Sequence, residues 1–569
     1  MTQIYDQPED FATTALAGFC SANARRVRLV KGGVLRATAT PAGKVALVVG
    51  GGSGHYPAFA GFVGPGFADA AIAGDVFASP SAQAAAHVMR LAHRGGGIVL
   101  GFGNYAGDVM NFGLAAERLE SEGIAVHILA VTDDVASAPA DQASLRRGVA
   151  GDLVVFKIVG AAAEAGFDLA AVERIGKAAN ARTMSFGVAF TGCTLPGASE
   201  PLFSVPKGRM GVGLGIHGEP GISEEPILPA AELGAFLVAR LVAERSIGSS
   251  GRVAVVLNGL GCTKYEELFV LWTGVEAALA KAGLTIVAPE VGEYVTSLDM
   301  AGVSLTLTWL DDELERYWLA PSDAPVMRRG TIIATEPAPP LAEQEYKPVA
   351  FRPGSSRSRE DGRCIAGVLA KVAAALRDAE EEFGRIDAIA GDGDHGQGMA
   401  RGSAAAMAAA ESAVAAGAGA ASVLAAAGDA WADRAGGTSG ALWGLALRSW
   451  SGTLSDDAAM TPDAVASGAR AALDAVMRLG RARLGDKTLV DAFDPFVKAL
   501  GDAVGQGRSL AIAWAAAAIA ATEAADATEK LTPKLGRARP HAARSLGHPD
   551  AGAVSLALCA RVVAKAIAG

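Results

Sequence analysis

The sequence predicts an α/β domain followed by an all-α domain, and three observations carry that reading. At 569 residues the chain exceeds what one hydrophobic core normally organises, so two large domains are expected. From residue 40 to about residue 330, short β-rich apolar runs alternate with helical stretches, the rhythm of helices laid over sheet faces. Past a break near residues 331–358, the sequence is Ala-rich with helical spacing as far as Gly569.

In chain order, the candidate strands are Lys44–Gly50, Gly97–Phe102, Ile124–Val131, Ser185–Phe190, Arg252–Leu257 and Leu284–Val287. They assign residues 1–330 to the α/β domain. The stretch TEPAPPLAEQEYKPVAFRPGSSRS, rich in Pro, Ser and charge, has no apolar periodicity, so residues 331–358 are expected to be a linker. Residues 359–569 then divide into about eight candidate helices between Gly-containing breaks. No short-period repeat of the solenoid kind is present.

Composition narrows the partners. The chain is 51% hydrophobic and 19% charged, as globular proteins are, and its 71 glycines point to many tight turns or phosphate-facing loops. A net charge of −10 without a long Lys/Arg run lacks the footprint of a nucleic-acid binder, so a small-molecule substrate is expected. Met1–Asp10 is acidic and polar where a secretion signal needs a basic start and an apolar stretch, which points to the cytoplasm. The most apolar helical run, Leu510–Ala521, is short for a bilayer span and is expected to be a buried helix, with no membrane partner. Cys20, Cys193, Cys262, Cys364 and Cys559 lie far apart with no C-x-x-C pair, so reduced thiols are expected.

Chemistry concentrates in two groups of loops. In RIDAIAGDGDHGQGMARG, glycines between Asp387, Asp392 and Asp394 let several carboxylates converge, a hard-oxygen set suited to Mg²⁺ and hence to a polyphosphate. A solvated Asp–Gly turn is the competing reading. No Walker loop, EF-hand or protein-kinase signature is present. GGTSGALWG (Gly436–Gly444) and LGRARPHAARSLGHPDAG (Leu535–Gly552) offer backbone amides, hydroxyls and arginines to an anion.

The other group follows candidate strands. VVGGGSGHYPAFAGFVG sets Ser53 and His55 at the exposed end of a glycine-rich turn. GFGNYAGDVMNF presents Asp108, either a base for a hydroxyl or a helix cap. GRMGVGLGIHGEPGI leaves the His217 imidazole accessible among glycines; a neutral imidazole is a nucleophile that a ketone carbonyl accepts, giving a reversible hemiaminal.

Taken in order, GGGSGH, GNYAGD, GLGIHGEPG, NGLGCTKYEEL, GEYVTSLDMAGVSLTL, GDGDHG, GGTSGALWG and GRA…GHPDAGA resemble the single-chain ATP-dependent dihydroxyacetone kinase family, erythrulose kinases included. The resemblance spans nearly the whole chain. It implies a two-part, mixed-sheet domain for the ketose and an eight-helix antiparallel barrel for ATP. In the first, His217 would carry the hemiaminal, Asp108 would take the proton of the hydroxyl being phosphorylated, and His55 with Gly51, Gly52, Ser53 and Gly54 would orient substrate oxygens. In the second, Asp387, Asp392 and Asp394 would bind two Mg²⁺ ions, and His395, Thr438, Ser439, Gly440 and Gly536 would contact the nucleotide. Arg537 would lie near the transferring phosphate. A homodimer with swapped ATP domains is implied, and the linker is long enough to allow it.

One position departs from the family pattern. Many members carry Lys before N-Y-x-G-D, where this chain has Gly103, a change that removes a positive contact near the substrate and opens the way to a longer ketose. The expected activity is therefore ATP-dependent phosphorylation of a terminal hydroxyl of dihydroxyacetone, with four-carbon erythrulose as the alternative. A non-catalytic sugar-binding regulator is the alternative of another class, and the acidic triad argues against it.

Overall fold

The computed structural model describes residues 2–245, 250–331, 336–339, 351–391, 393–535 and 542–568. The chain parts into two compact units, Met1–Pro340 and Leu341–Gly569.

The first unit holds two mixed sheets. One contains β1 (Val27–Val30), β2 (Gly33–Arg36), β3 (Ala46–Ser53), β4 (Ala70–Val76), β5 (Ile98–Gly103) and β6 (Val126–Val131), ordered β1-β2-β4-β3-β5-β6. From β4 through β6 the neighbours run parallel, and the β1/β2 hairpin joins antiparallel at β4. The core of β3 and all of β5 are buried on both faces, as the apolar runs of a sheet covered on both sides must be. Alternation sends Leu47, Val49 and Val99 into one core with Leu153 and Phe156, and Ala46, Val48 and Leu100 into another with Val88 and Phe112.

The other sheet contains β7 (Thr183–Ala189), β8 (Arg209–Val212), β9 (Ser223–Pro226), β10 (Arg252–Gly259), β11 (Thr285–Ile286), β12 (Glu290–Gly292) and β13 (Gly302–Trp309). Its order is β11-β10-β13-β7-β8-β9, with β12 also paired to β10. Val253, Val255 and Leu257 of β10 pack against helices Ala230–Val242 and Tyr265–Lys281, while Ala254 and Val256 face the core shared with helix Gly151–Glu164. That last helix is buried from Gly151 to Ala163 and touches strands of both sheets, so it forms the layer between them. Because β3 and β5 are adjacent and parallel, the turns leaving their C-terminal ends lie side by side.

The second unit is helical. Among the described residues its helices of fifteen residues or more are Ser356–Asp378, His395–Ala415, Ala420–Ala435, Gly437–Ser451, Pro462–Gly480, Val490–Gly505, Leu510–Ala527 and Ala551–Ile567. Each packs on the next in this order, and Ala551–Ile567 packs back on Ser356–Asp378. Starts are marked by capping side chains: Ser355, Thr461 ahead of Pro462, Ser509 and Asp550 each accept a backbone N–H of the first turn.

Two expectations change here. Helix Leu510–Ala527 is longer than the run seen in the sequence, and by length and composition alone it would suffice to cross a membrane. It is not a buried helix: Ala513, Ala517, Ala518, Ala521 and Ala525 fill one face, and Ile512 and Ile519 are exposed. The segment 331–358 is not all tether. The backbone N–H groups of Ala39 and Ala338 donate to Glu336 and Ala37, tying residues 336–338 to the first unit, and Ser356 already begins a helix of the second.

Candidate active site

In the first unit the structure brings His55 and His217 into contact. His55 follows β3 directly, and its Nδ1–H donates to the Thr296 carbonyl at 2.7 Å. Its Nε2 lies 3.0 Å from His217 Nε2. His217 sits in the turn after β8, between Gly213 and Gly218, whose positive φ values of +71° and +84° favour glycine. Its Nδ1 is 3.0 Å from Glu219 Oε1, and its backbone N–H donates to Glu219 Oε2 at 3.0 Å. Phe77 stacks on His55 with ring centroids 5.0 Å apart, and Phe77 and Tyr105 meet the His217 ring edge-on at 5.2 and 4.8 Å. Burial, with the charge of His217 adding, pushes His55 down to about 3, so this imidazole is neutral at ordinary pH.

Tyr105 leads into helix Ala106–Ser121, whose first turn carries Asp108. The carboxyl does not cap that helix. It is buried, its Oδ1 has no hydrogen-bond partner, and burial pushes it up to about 7 against the pull of a Ser79 hydrogen bond. An enclosed, unsatisfied acceptor with a pKa near neutrality is the form a general base takes. Asp152, in the first turn of helix Gly151–Glu164, also has a buried Oδ1 without a partner. Burial and the charges of Asp133 and Asp108 hold it well above the usual carboxylate range.

The glycine-rich turn is built for close approach. A Cβ at Gly52 would stand 2.8 Å from the Ala78 backbone nitrogen, and one at Gly51 would stand 2.5 Å from the Phe59 ring. Gly54 has φ +96° and its carbonyl accepts the Leu298 N–H. The Ser53 hydroxyl is engaged with the Gly74 carbonyl at 2.7 Å. At Gly103 a Cβ would meet the Gly148 carbonyl at 3.2 Å and the Tyr105 ring at 3.3 Å, so the wall at this point is already closed by neighbours.

In the second unit three helix starts converge. His395 opens helix His395–Ala415; its Nε2 is 3.0 Å from the Ser555 hydroxyl in Ala551–Ile567, and its Nδ1 is 3.4 Å from the Ser439 hydroxyl in the first turn of Gly437–Ser451. Thr438 and Gly440 share that turn, which Gly436 (φ +70°) and Gly437 (φ +59°) permit. N-terminal amides and dipoles of this kind favour phosphate. Asp387 ends helix Glu380–Asp387, and its Oδ2 accepts the Gly393 N–H at 2.9 Å. Burial and the charge of Asp387 push Asp394 up to about 6. Two crowded carboxylates of hard oxygen are what a divalent cation relieves, so these residues fit Mg²⁺. Among the described residues no three His, Cys, Asp or Glu side chains form a metal cluster. Asp392, Gly536 and Arg537 lie outside the described residues.

Several residues of these sites escaped the sequence reading. Glu219 stands two positions after His217, and Arg147, 3.8 Å from Glu219 and 2.7 Å from Asp134, comes from a distant loop. Asp550, pushed up to about 7 by burial and by the charges of Asp491 and Asp387 against the Ala553 N–H, reads in sequence only as a cap.

Comparison with known proteins adds a lineage to this geometry. The Dak1 domain matches residues 17–326 and the DAK2 domain matches residues 389–565. The chain is 56% identical over 572 residues to D-erythrulose kinase of Mycolicibacterium smegmatis, covering 100% of this chain and 99% of the relative. It is 54% identical over 564 residues to L-erythrulose kinase of Pectobacterium atrosepticum, covering 98% and 95%. Its fold matches the crystal structure of the dihydroxyacetone kinase from C. freundii in complex with AMP-PNP and Mg²⁺, with a TM-score of 0.53, 29% identity and 99% of both chains covered.

Proposed function

Because the chain belongs to the single-chain dihydroxyacetone kinase family, we propose that it transfers the γ-phosphoryl group of ATP to a terminal hydroxyl of a short-chain ketose held on His217. The observation that carries this reading is the His217 Nε2–His55 Nε2 contact at 3.0 Å beside a helix whose buried Asp108 Oδ1 has no partner.

The chemistry follows from those atoms. His217 Nε2 adds to the ketone carbon and immobilises a substrate too small to be gripped by surface alone. His55, neutral and fixed through Nδ1, keeps its Nε2 at the carbonyl end. Asp108 accepts the proton of the terminal hydroxyl as its oxygen bonds to phosphorus. In the second unit the amides at the starts of His395–Ala415 and Gly437–Ser451, with Thr438, Ser439 and Gly440, hold the polyphosphate. Asp387 and Asp394, with Asp392, would hold Mg²⁺, two ions in this reading, which when bound screens the phosphates and stabilises charge developing on them. Gly536 belongs to the nucleotide contacts, and Arg537 is assigned to the transferring phosphate.

The finer architecture belongs to the same proposal. The closed succession of long helices supports an eight-helix barrel. A homodimer, in which the ATP unit of one copy serves the ketose unit of the other, is supported by the linker length. ATP as donor suits the cytoplasm.

Three relatives above 50% identity are named for erythrulose, so a four-carbon ketose is assigned ahead of dihydroxyacetone. The test is a steady-state screen with ATP against dihydroxyacetone, D-erythrulose and L-erythrulose. One erythrulose enantiomer is expected to show kcat/KM about tenfold or more above dihydroxyacetone, since hydrogen bonds to an extra hydroxyl discriminate strongly. Equal or better turnover of dihydroxyacetone returns the assignment to the three-carbon ketose, and no ATP-dependent phosphorylation of any of them overturns it altogether.

A further inference from the structure

Resting on the hemiaminal reading above, we propose that Glu219 is the positioning residue for His217, fixing its tautomer and stabilising the positive charge that the ring carries once Nε2 is bonded to the substrate.

The tautomer follows from donor and acceptor capacity. A carboxylate oxygen only accepts, so the 3.0 Å contact between Glu219 Oε1 and His217 Nδ1 requires the hydrogen on Nδ1 and leaves the lone pair on Nε2. In the opposite tautomer a ring lone pair would face a carboxylate, and the nucleophilic nitrogen would be capped by hydrogen. Glu219 is itself clamped. Its Oε2 accepts the His217 backbone N–H at 3.0 Å and lies 3.8 Å from the Arg147 guanidinium, which is anchored to Asp134 at 2.7 Å and to the Gly213 carbonyl at 3.3 Å. Space for this arrangement exists because residue 215 is glycine: a Cβ there would fall 2.1 Å from Glu219 Oε2 and 2.4 Å from Arg147. Burial works to protonate Glu219, but His217 and Arg147 outweigh it and hold the carboxyl well below the usual carboxylate range.

The same counting applies to the histidine pair. His55 Nδ1 must carry hydrogen to meet the Thr296 carbonyl, so with both rings neutral the two Nε2 atoms present lone pairs across 3.0 Å. On addition, the Nε2 lone pair of His217 forms the N–C bond, the carbonyl π pair moves to oxygen, and that oxygen takes up one proton from solvent. His55 stays neutral throughout. One positive charge appears on the ring that Glu219 touches, matched by the proton taken up, and the adduct gains from the adjacent carboxylate.

The experiment uses the purified full-length enzyme and a ketose carrying carbon-13 at its carbonyl. In the wild type the ketone resonance is expected to move to a carbinolamine position, and His217→Ala is expected to abolish that signal. Glu219→Gln keeps an oxygen acceptor but removes the charge; it is expected to lower the adduct fraction and raise ketose KM about tenfold, the effect of one pKa unit, with kcat changed far less. Glu219→Asp restores the charge and is expected to recover part of the adduct. Nitrogen-15 shifts of His217 in the substrate-free wild type should show a hydrogen on Nδ1, a readout that does not depend on any variant folding. No carbinolamine in the wild type overturns the hemiaminal reading itself. A normal wild-type adduct with unchanged adduct fraction and KM in Glu219→Gln, or a His217 ring without hydrogen on Nδ1, overturns the role of Glu219 alone.

Discussion

Asp108 sits in the first turn of a helix, enclosed by protein, with one carboxylate oxygen unmatched and its pKa pushed up to about 7 by burial. Serving as a base requires the ionised form, so kcat/KM should rise with pH through about 7 and level off above it, as a pH–rate profile will show. The stability effect has the opposite sense. An unfolded Asp ionises near its ordinary value of about 4, whereas the folded one keeps its proton to about 7, so the unfolded chain binds fewer protons in that window and stability falls as pH rises through it. Asp108→Asn removes a buried charge. It should lower kcat by about 10²–10⁴-fold and yet melt higher than the wild type at pH 8, the gap closing towards pH 4 in thermal scans. At this scale the sequence showed His55, Asp108 and His217 because each follows an apolar run and a glycine turn. Glu219 escaped although it stands two positions from His217, because a lone carboxylate in a glycine turn carries no periodic signal, whereas Arg147 and Phe77 escaped because they reach Glu219 and His217 from loops roughly 70 and 140 residues away.

Among the elements, the helices of the second unit owe their closeness to small residues. A Cβ on Gly468 would fall 2.0 Å from the Trp450 indole, and that indole is not free to yield, being stacked on Trp514, which meets Phe496 edge-on and donates to the Ala560 carbonyl. Gly468→Ala is therefore expected to destabilise by about 1–3 kcal/mol, the range for overpacking, although Ala is the better helix former. Urea unfolding followed by circular dichroism measures it; a neutral or stabilising result would mean the pair of helices is looser than described. Element types were legible wherever period and length agreed: the long parallel strands β3, β5 and β6, and the Ala-rich helices with polar caps. Strands β1 and β2 were lost because four residues each give too few periods, whereas β13, GVSLTLTW, was passed over although Val303, Leu305, Leu307 and Trp309 alternate strictly with Ser304, Thr306 and Thr308. Helix Leu510–Ala527 was misjudged because alanine suits a packed face and an open one equally, so composition could not reveal that Ile512 and Ile519 stand exposed.

At the level of the whole molecule, the residues proposed for the ketose belong to Met1–Pro340 and those proposed for the phosphates to Leu341–Gly569, so the proposed phosphoryl transfer needs one member of each set. The Pro-rich break between them was plain in sequence because no apolar period crosses it, but which copy of the chain supplies which unit is not encoded in any local pattern. Two inactive full-length variants decide it. Asp108→Asn leaves the nucleotide residues intact, and Asp394→Ala leaves the ketose residues intact. If a homodimer exchanges units, a mixed dimer pairs the ketose unit of the Asp394→Ala copy with the nucleotide unit of the Asp108→Asn copy and regains one working site of two. Co-refolding equal amounts makes half the dimers mixed, so about one quarter of wild-type activity should return. If each chain serves itself, every working pair contains one defective unit and activity stays at the sum of the two variants. Sedimentation on the same samples separates the failure cases, since a monomer at the assay concentration excludes exchange whatever the activity.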